Sequence, residues 1–168
     1  MTDADFRDAF HRHKDVVYRF AYRMTGSGST AEDVVQDCFV AFWRKPQAYD
    51  PERGALRPFL LGIARNVVLK RWRSERPQET LDESIEDQSC AGLPFDIEGQ
   101  ERAEAVKRAI LLLPPLQREA VILAEYEEMS LQEIANATAA DLAAVKSRLH
   151  RARQNLRRML EPLFAIER

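Results

Sequence analysis

Residues 130–158, SLQEIANATAADLAAVKSRLHRARQNLRR, constrain the fold most, because their local signals specify two helices and the tight turn between them. Ser130 precedes Glu133 by three positions, the capping-box spacing in which each side chain satisfies a backbone N–H of the other, so a helix is expected to start there. Asp141 is placed to cap a second helix, and Thr138-Ala139-Ala140 is the turn. Beyond it Leu142, Val145, Leu149, Ala152, Leu156 and Met159 recur every three or four positions, an apolar stripe expected to pack inward. The opposite face carries Lys146, Ser147, His150, Arg151, Gln154 and Arg158, donors able to reach phosphates and base edges from a major groove. A basic amphipathic helix alone fits a solvated surface as well as a reader of DNA. With a capped helix before it, the segment reads as a helix-turn-helix that binds DNA, without distinguishing repressor, activator or promoter-recognition subunit.

The helical period continues elsewhere in the chain. In FRDAFHRHKDVVYRFAYRM, residues Phe6, Phe10, Val17, Phe20, Ala21 and Met24 share a face, and GSGST ends that helix. Thr30 with Asp33 predicts the next start, with Val34, Val35, Phe39, Phe42 and Trp43 as the apolar face. A third helix is expected from about Leu56, with Pro58 in its first turn. Leu60, Ile63, Ala64, Val67 and Val68 should pack in it, while Arg65, Lys70, Arg71 and Arg73 stay in water. No stretch alternates at period two, so the architecture is expected to be all-helical.

The net charge of −2 conceals three blocks. Residues 1–76 hold 14 basic and 10 acidic side chains, residues 77–104 hold 1 and 9, and residues 105–168 hold 10 and 8. The acidic middle lacks apolar periodicity and is enriched in Pro, Gly and Ser, the composition of a linker between two domains. Cys38 and Cys90 have no CxxC partner, which argues against a disulfide scaffold or a zinc site; Cys38 is expected to be packed and Cys90 an exposed thiol. No apolar run approaches the roughly 18 residues of a membrane span, and nothing resembles a signal peptide, so a cytoplasmic chain without membrane insertion is expected. With no glycine-rich phosphate loop, no HExxH and no cluster of His with carboxylates, neither an enzyme nor a bound metal or cofactor is expected. His11 and His13, two positions apart on a helix, should point in different directions into solvent.

Two stretches near the amino terminus narrow the class. AEDVVQDCFVAFWRK (31–45) and YDPERGALRPFLLGIARNVVLKRWR (49–73) resemble region 2, and LPPLQREAVILAEYEEMSLQEIA with VKSRLHRAR resembles region 4, of the extracytoplasmic-function sigma factors of bacterial RNA polymerase. The resemblance covers nearly the whole chain. It implies an all-α fold of two small helical domains: residues 1–76 as a region 2 helical bundle, 77–104 as the acidic linker, and 105–168 as a region 4 helix-turn-helix. Promoter elements about 25 base pairs apart lie roughly 85 Å from each other at 3.4 Å per pair. The stretch from Pro77 to Gly99 spans at most roughly 75 to 80 Å when extended, so the linker must be open and the domain widths supply the rest. Its charge fits either a strand-like passenger of the polymerase's nucleic-acid channel or a generic spacer.

The resemblance also implies residue roles. Asp33, Gln36 and Asp37 occupy positions that dock core RNA polymerase. Asn66 matches the position lining a pocket for a base flipped out of the minus-10 element, where an amide offers a donor and an acceptor. Lys70 lies one turn on, and Arg65, Arg71 and Arg73 are placed for phosphate. Phe59 and Trp72 are candidates either for base stacking or for core packing. Lys146, Ser147, His150 and Arg151 fall at minus-35 contacts, with Arg148 and Arg153 near the backbone. Ala139 departs from a common turn Gly, Thr138 from a common apolar residue and Ala144 from a common Thr; a left-handed Ala139 would carry strain on the order of 1 kcal/mol. The partners implied are core polymerase, promoter DNA and an anti-sigma factor. The alternative is a stand-alone helix-turn-helix regulator, for which residues 31–73 have no evident use.

Overall fold

The computed structural model describes residues 1–75 and 101–164, apart from the side chain of Phe164. The acidic stretch up to residue 100, with Cys90, lies outside them. Seven α-helices appear among the described residues, and no strand: α1 (Asp3–Thr25), α2 (Gly28–Arg44), α3 (Leu56–Glu75), α4 (Glu101–Leu112), α5 (Pro115–Val121), α6 (Leu131–Thr138) and α7 (Leu142–Phe164). Helix α4 begins inside the block assigned to the linker from composition. A turn of 3-10 helix, Pro46–Ala48, links α2 toward α3, and a π-helical turn, Ile122–Tyr126, extends α5.

The helix ends follow local chemistry. Thr2 and Asp5 form a capping box at α1, and Gly26, at φ 70°, ends α1 in the left-handed conformation that glycine adopts without a Cβ penalty. The α2 cap is not Thr30: Ser27 accepts from the Thr30 N–H at 3.2 Å, and the helix starts at Gly28. Ser130 and Glu133 make the expected reciprocal pair. Asp141 accepts the Ala144 N–H at 2.7 Å. Ala139 does take the left-handed turn position, at φ 51° and ψ 40°. Thr138 stands buried where an apolar residue is common, because its hydroxyl donates to the Ile134 carbonyl at 2.7 Å.

Helices α1–α3 bury Phe20, Met24, Val34, Leu60, Leu61 and Val68 together, and α4–α7 bury Ile122, Leu123, Ile134, Val145, Leu149 and Ala152. Each of these side chains other than Ala152 contributes about 1.5–3 kcal/mol on full burial. The two groups join into one continuous core, with α3 laid against α6 and α1 against α4 and α5. Gly62 permits that approach: a Cβ there would stand 3.2 Å from the Ala137 carbonyl oxygen. Arg118 spans the junction, donating to the carbonyls of Ile110, Leu111 and Leu113 near the end of α4 and to the Met24 carbonyl in α1. It satisfies acceptors that a helix C-terminus leaves orphaned.

Exposure departs from expectation at five residues. Trp43 and Leu142 lie at the rim of their helices' apolar faces and are 46% and 37% exposed; Trp43 packs edge-on against Phe6 instead. Arg65 is drawn out of water by Glu119 of α5, and Arg71 is only partly shielded beside Asp37 of α2, its side chain 32% exposed. His13 is only half exposed, and burial together with the Arg12 and Arg57 charges lowers its pKa from the ordinary imidazole value.

Candidate nucleic-acid and polymerase interface

Helix α2 presents Asp33, Gln36 and Asp37 on its exposed face, because Val34, Cys38 and Phe42 hold the opposite face in the core. Arg71 of α3 donates to Asp37 at 2.9 Å and stands 3.7 Å from Asp33. The Asp37 hydrogen bond, followed by the neighbouring carboxylates, raises the guanidinium's pKa further. The stretch read as a docking surface is therefore coupled to one of the residues read as a phosphate contact.

Asn66 is exposed and lines a cleft of about 420 Å³. Tyr49, Asp50, Arg53 and Gly54 of the loop before α3 form one wall, and Phe59, Gly62 and Ile63 form the floor. The opposite wall is α6, through Glu133, Asn136 and Ala137. Phe59 is wedged between Tyr49 and Phe42, with ring centroids 5.4 and 6.3 Å away, and so supports this cleft by packing. Trp72 lies under the Arg118 guanidinium, 5.2 Å from it. Lys70 and Arg73 are exposed.

Arg65 is placed differently from the sequence reading. Its side chain is 13% exposed and its guanidinium grips Glu119 of α5 with two hydrogen bonds, 2.7 and 3.0 Å long, while Nη1 reaches Asn66 Oδ1 at 3.3 Å. Burial raises the Glu119 carboxyl above its ordinary pKa, and the Arg65 hydrogen bond and charge oppose that rise. A second carboxylate is held similarly: Glu127, turned inward by the π-helical turn, takes Arg57 at 2.6 Å and stands 3.7 Å from Arg23. Sequence reading gave neither Glu119 nor Glu127 a role. Glu119 did carry a signal, since it shares a helical face with Leu116 and Leu123, and a carboxylate on an apolar face calls for a buried partner.

In α7, Lys146, Ser147, His150 and Arg151 are exposed on one face, opposite buried Val145, Leu149 and Ala152. Arg148 is half-buried and its charge reaches Glu119. Arg153 is tied to Glu125 at 2.7 Å, beside the basic face. Asn155, buried, fixes α7 to α5 by donating to Gln117 at 2.7 Å. Among the described residues no group of His, Cys, Asp and Glu is arranged to hold a metal ion, and no helix is long and apolar enough to cross a membrane.

A basic-faced helix-turn-helix, an acid-faced α2 and an amide-lined cleft thus stand together in one two-part helical chain. Residues 9–78 match the family described as Sigma-70 region 2, and residues 103–156 match Sigma-70, region 4. The ECF RNA polymerase sigma factor SigW of Bacillus subtilis (strain 168) is 31% identical over 94% of this chain and 90% of its own length. SigE of Mycolicibacterium smegmatis, also named an ECF RNA polymerase sigma factor, is 37% identical over 87% of this chain and 58% of its own length. Among solved structures, the sigma factor RpoE of Bartonella quintana, crystallised with the anti-sigma factor NepR, superposes with a TM-score of 0.73, 26% identity, and coverage of 94% of this chain and 97% of that one. The chain belongs to the extracytoplasmic-function sigma factors of the sigma-70 family.

Proposed function

We propose that the chain joins core RNA polymerase in the cytoplasm, directs it to a specific set of promoters and starts transcription by reading a minus-35 element and melting a minus-10 element. Family membership across both halves of the chain carries this reading. It acts by binding rather than by catalysing a reaction. The division of labour is residues 1–76 for polymerase docking and minus-10 melting and residues 105–168 for minus-35 recognition, with the acidic stretch between them as the tether. Asp33, Gln36 and Asp37 dock the polymerase from the exposed face of α2. Asn66 receives an unpaired base, which offsets a few kcal/mol of unstacking, and Lys70, Arg71 and Arg73, with Arg65 once it is released, hold phosphate. Lys146, Ser147, His150 and Arg151 read the minus-35 duplex in the major groove, with Arg148 beside them.

An anti-sigma factor that covers these surfaces is the natural regulator, as the name of the Bartonella quintana complex records for that protein. The stand-alone regulator reading has no use for the acid-faced α2 or the Asn66 cleft. Run-off transcription with purified core enzyme on genomic fragments tests the function: discrete transcripts that appear only when the chain is added support it, and none on any fragment contradicts it.

A further inference from the structure

We infer that the cavity bounded by the carboxy-terminal ends of α1 and α3 and by the turn from α4 to α5 is a binding site for a small nucleotide, one base with one or two phosphates. It holds about 400 Å³ and shares no residue with the Asn66 cleft. That volume lies within the range of small-molecule sites. Its lining divides by chemistry. Arg71, Arg73 and Arg118 bring guanidiniums to it, and Glu75 is the carboxylate among the lining residues. The carbonyls of Met24, Ile110, Leu111 and Leu113 hold Arg118, which fixes where its positive charge stands. Trp72, half-buried, sets an aromatic surface beside that charge, with the guanidinium 5.2 Å from its ring, and Leu111 and Pro115 continue the apolar wall.

A separate observation points to an anion. Arg71 turns Nη1 and Nη2 toward Asp33 and Asp37, but its Nε, shielded from water, has no hydrogen-bond partner among the described residues. A buried donor left unmade is costly and calls for an acceptor. A small rotation of the side chain offers it to a phosphate oxygen in the cavity. Guanidinium forks match phosphate oxygens, and an indole presents a face on which a planar base stacks. A bare anion leaves the apolar wall uncovered, and an uncharged aromatic leaves the guanidiniums unanswered, so a molecule with both parts fits better than either. The site stands without the function proposed above, but its consequence rests on that reading. Arg71 and Arg73 are assigned there to promoter phosphate, and a bound nucleotide takes them from DNA.

Trp43 and Trp72 are the two tryptophans of the chain, so in full-length Trp43→Phe the indole N–H signal of a heteronuclear NMR spectrum comes from Trp72 alone. ADP, GDP, CDP and UDP, their nucleosides, inorganic pyrophosphate and a random-sequence single-stranded oligonucleotide are titrated in turn. At least one diphosphate is expected to move the Trp72 signal saturably and to bind on the order of tenfold tighter than its nucleoside or pyrophosphate. Arg71→Gln and Arg73→Gln, each with an otherwise native spectrum, should weaken that binding on the order of tenfold. No saturable shift with any diphosphate overturns the proposal. So does binding no tighter than that of nucleoside or pyrophosphate, or binding undiminished in both folded variants. A Trp72 shift with the oligonucleotide and none with the diphosphates also overturns it, and gives the cavity to the promoter strand instead. Polymerase is absent from every arm, so failure of the nucleotide site and failure of the transcription assay remain separate results.

Discussion

Arg71 on α3 and Asp37 on α2 are joined by a 2.9 Å hydrogen bond, which places a residue assigned to phosphate in the grip of a residue assigned to polymerase. The pair is largely solvent-facing, with side chains 32% and 51% exposed, so it contributes no more than about 1 kcal/mol to the fold. Its consequence is positional: it holds the cationic end of α3 beside the acidic face of α2. If polymerase takes Asp37, as proposed, Arg71 is expected to be freed for DNA.

Reversing the charge at Asp33 and Asp37 together is expected to weaken binding to core polymerase while leaving the fold intact, because both side chains are more than half exposed. Co-purification with core enzyme, read beside circular dichroism, checks it. A folded double variant that still binds core normally removes these residues from the interface.

The two DNA-reading positions should fail at different steps. Asn66→Ala impairs melting and is rescued by a premelted bubble only to the extent that opening, rather than base capture, was lost. Arg151→Ala costs roughly 1–3 kcal/mol in duplex affinity and relaxes preference at one minus-35 position. An equal loss on all sequences would make Arg151 a phosphate contact instead.

Ala139→Gly should raise thermal stability. At φ 51° the alanine Cβ crowds the following carbonyl, a strain on the order of 1 kcal/mol that glycine relieves. The greater backbone freedom of glycine in the unfolded chain returns part of that gain, roughly 0.5 kcal/mol. A melting temperature below that of the wild type would contradict the left-handed turn.

Cys38 should be inert in the folded protein. It is fully buried and donates to the Leu60 carbonyl, and burial pushes its thiol up to about 12. At pH 8 only roughly one molecule in ten thousand carries the thiolate that alkylating reagents need. Because the folded value lies above the ordinary one of 9.0, the stability it brings is full below pH 9 and is lost as pH rises toward 12. Peptide mapping after iodoacetamide should find Cys38 unmodified in native protein and modified in denaturant; modification under native conditions contradicts the packing.

What was legible in the sequence was local. The Ser130–Glu133 box, the Asp141 cap and the Val145–Leu149–Ala152 stripe each depend on spacings of three or four positions, and the structure has them all. Where two candidates compete, spacing is degenerate: Ser27 and Thr30 both precede the apolar face of α2, and Ser27 takes the cap. Stripe ends are equally ambiguous, which is how Trp43 and Leu142 come to be exposed. The partners of Arg65 and Arg57 lie 54 and 70 positions away, and no periodicity encodes a contact at that range. The same holds for the cleft wall that α6 lends to Asn66, since it exists only once the two halves meet.

Promoter specificity is expected to belong to the complex with polymerase and not to the chain alone. Two weak sites held at the promoter spacing gain effective concentration, raising avidity by orders of magnitude without a new contact. A fluorescence-anisotropy titration of promoter duplex at two salt concentrations, with and without core enzyme, measures this directly. Weak, steeply salt-dependent binding by the free chain that becomes tight and sequence-specific with core is the predicted result. Nanomolar, sequence-specific binding by the free chain would contradict the sigma-factor mechanism and favour a stand-alone regulator.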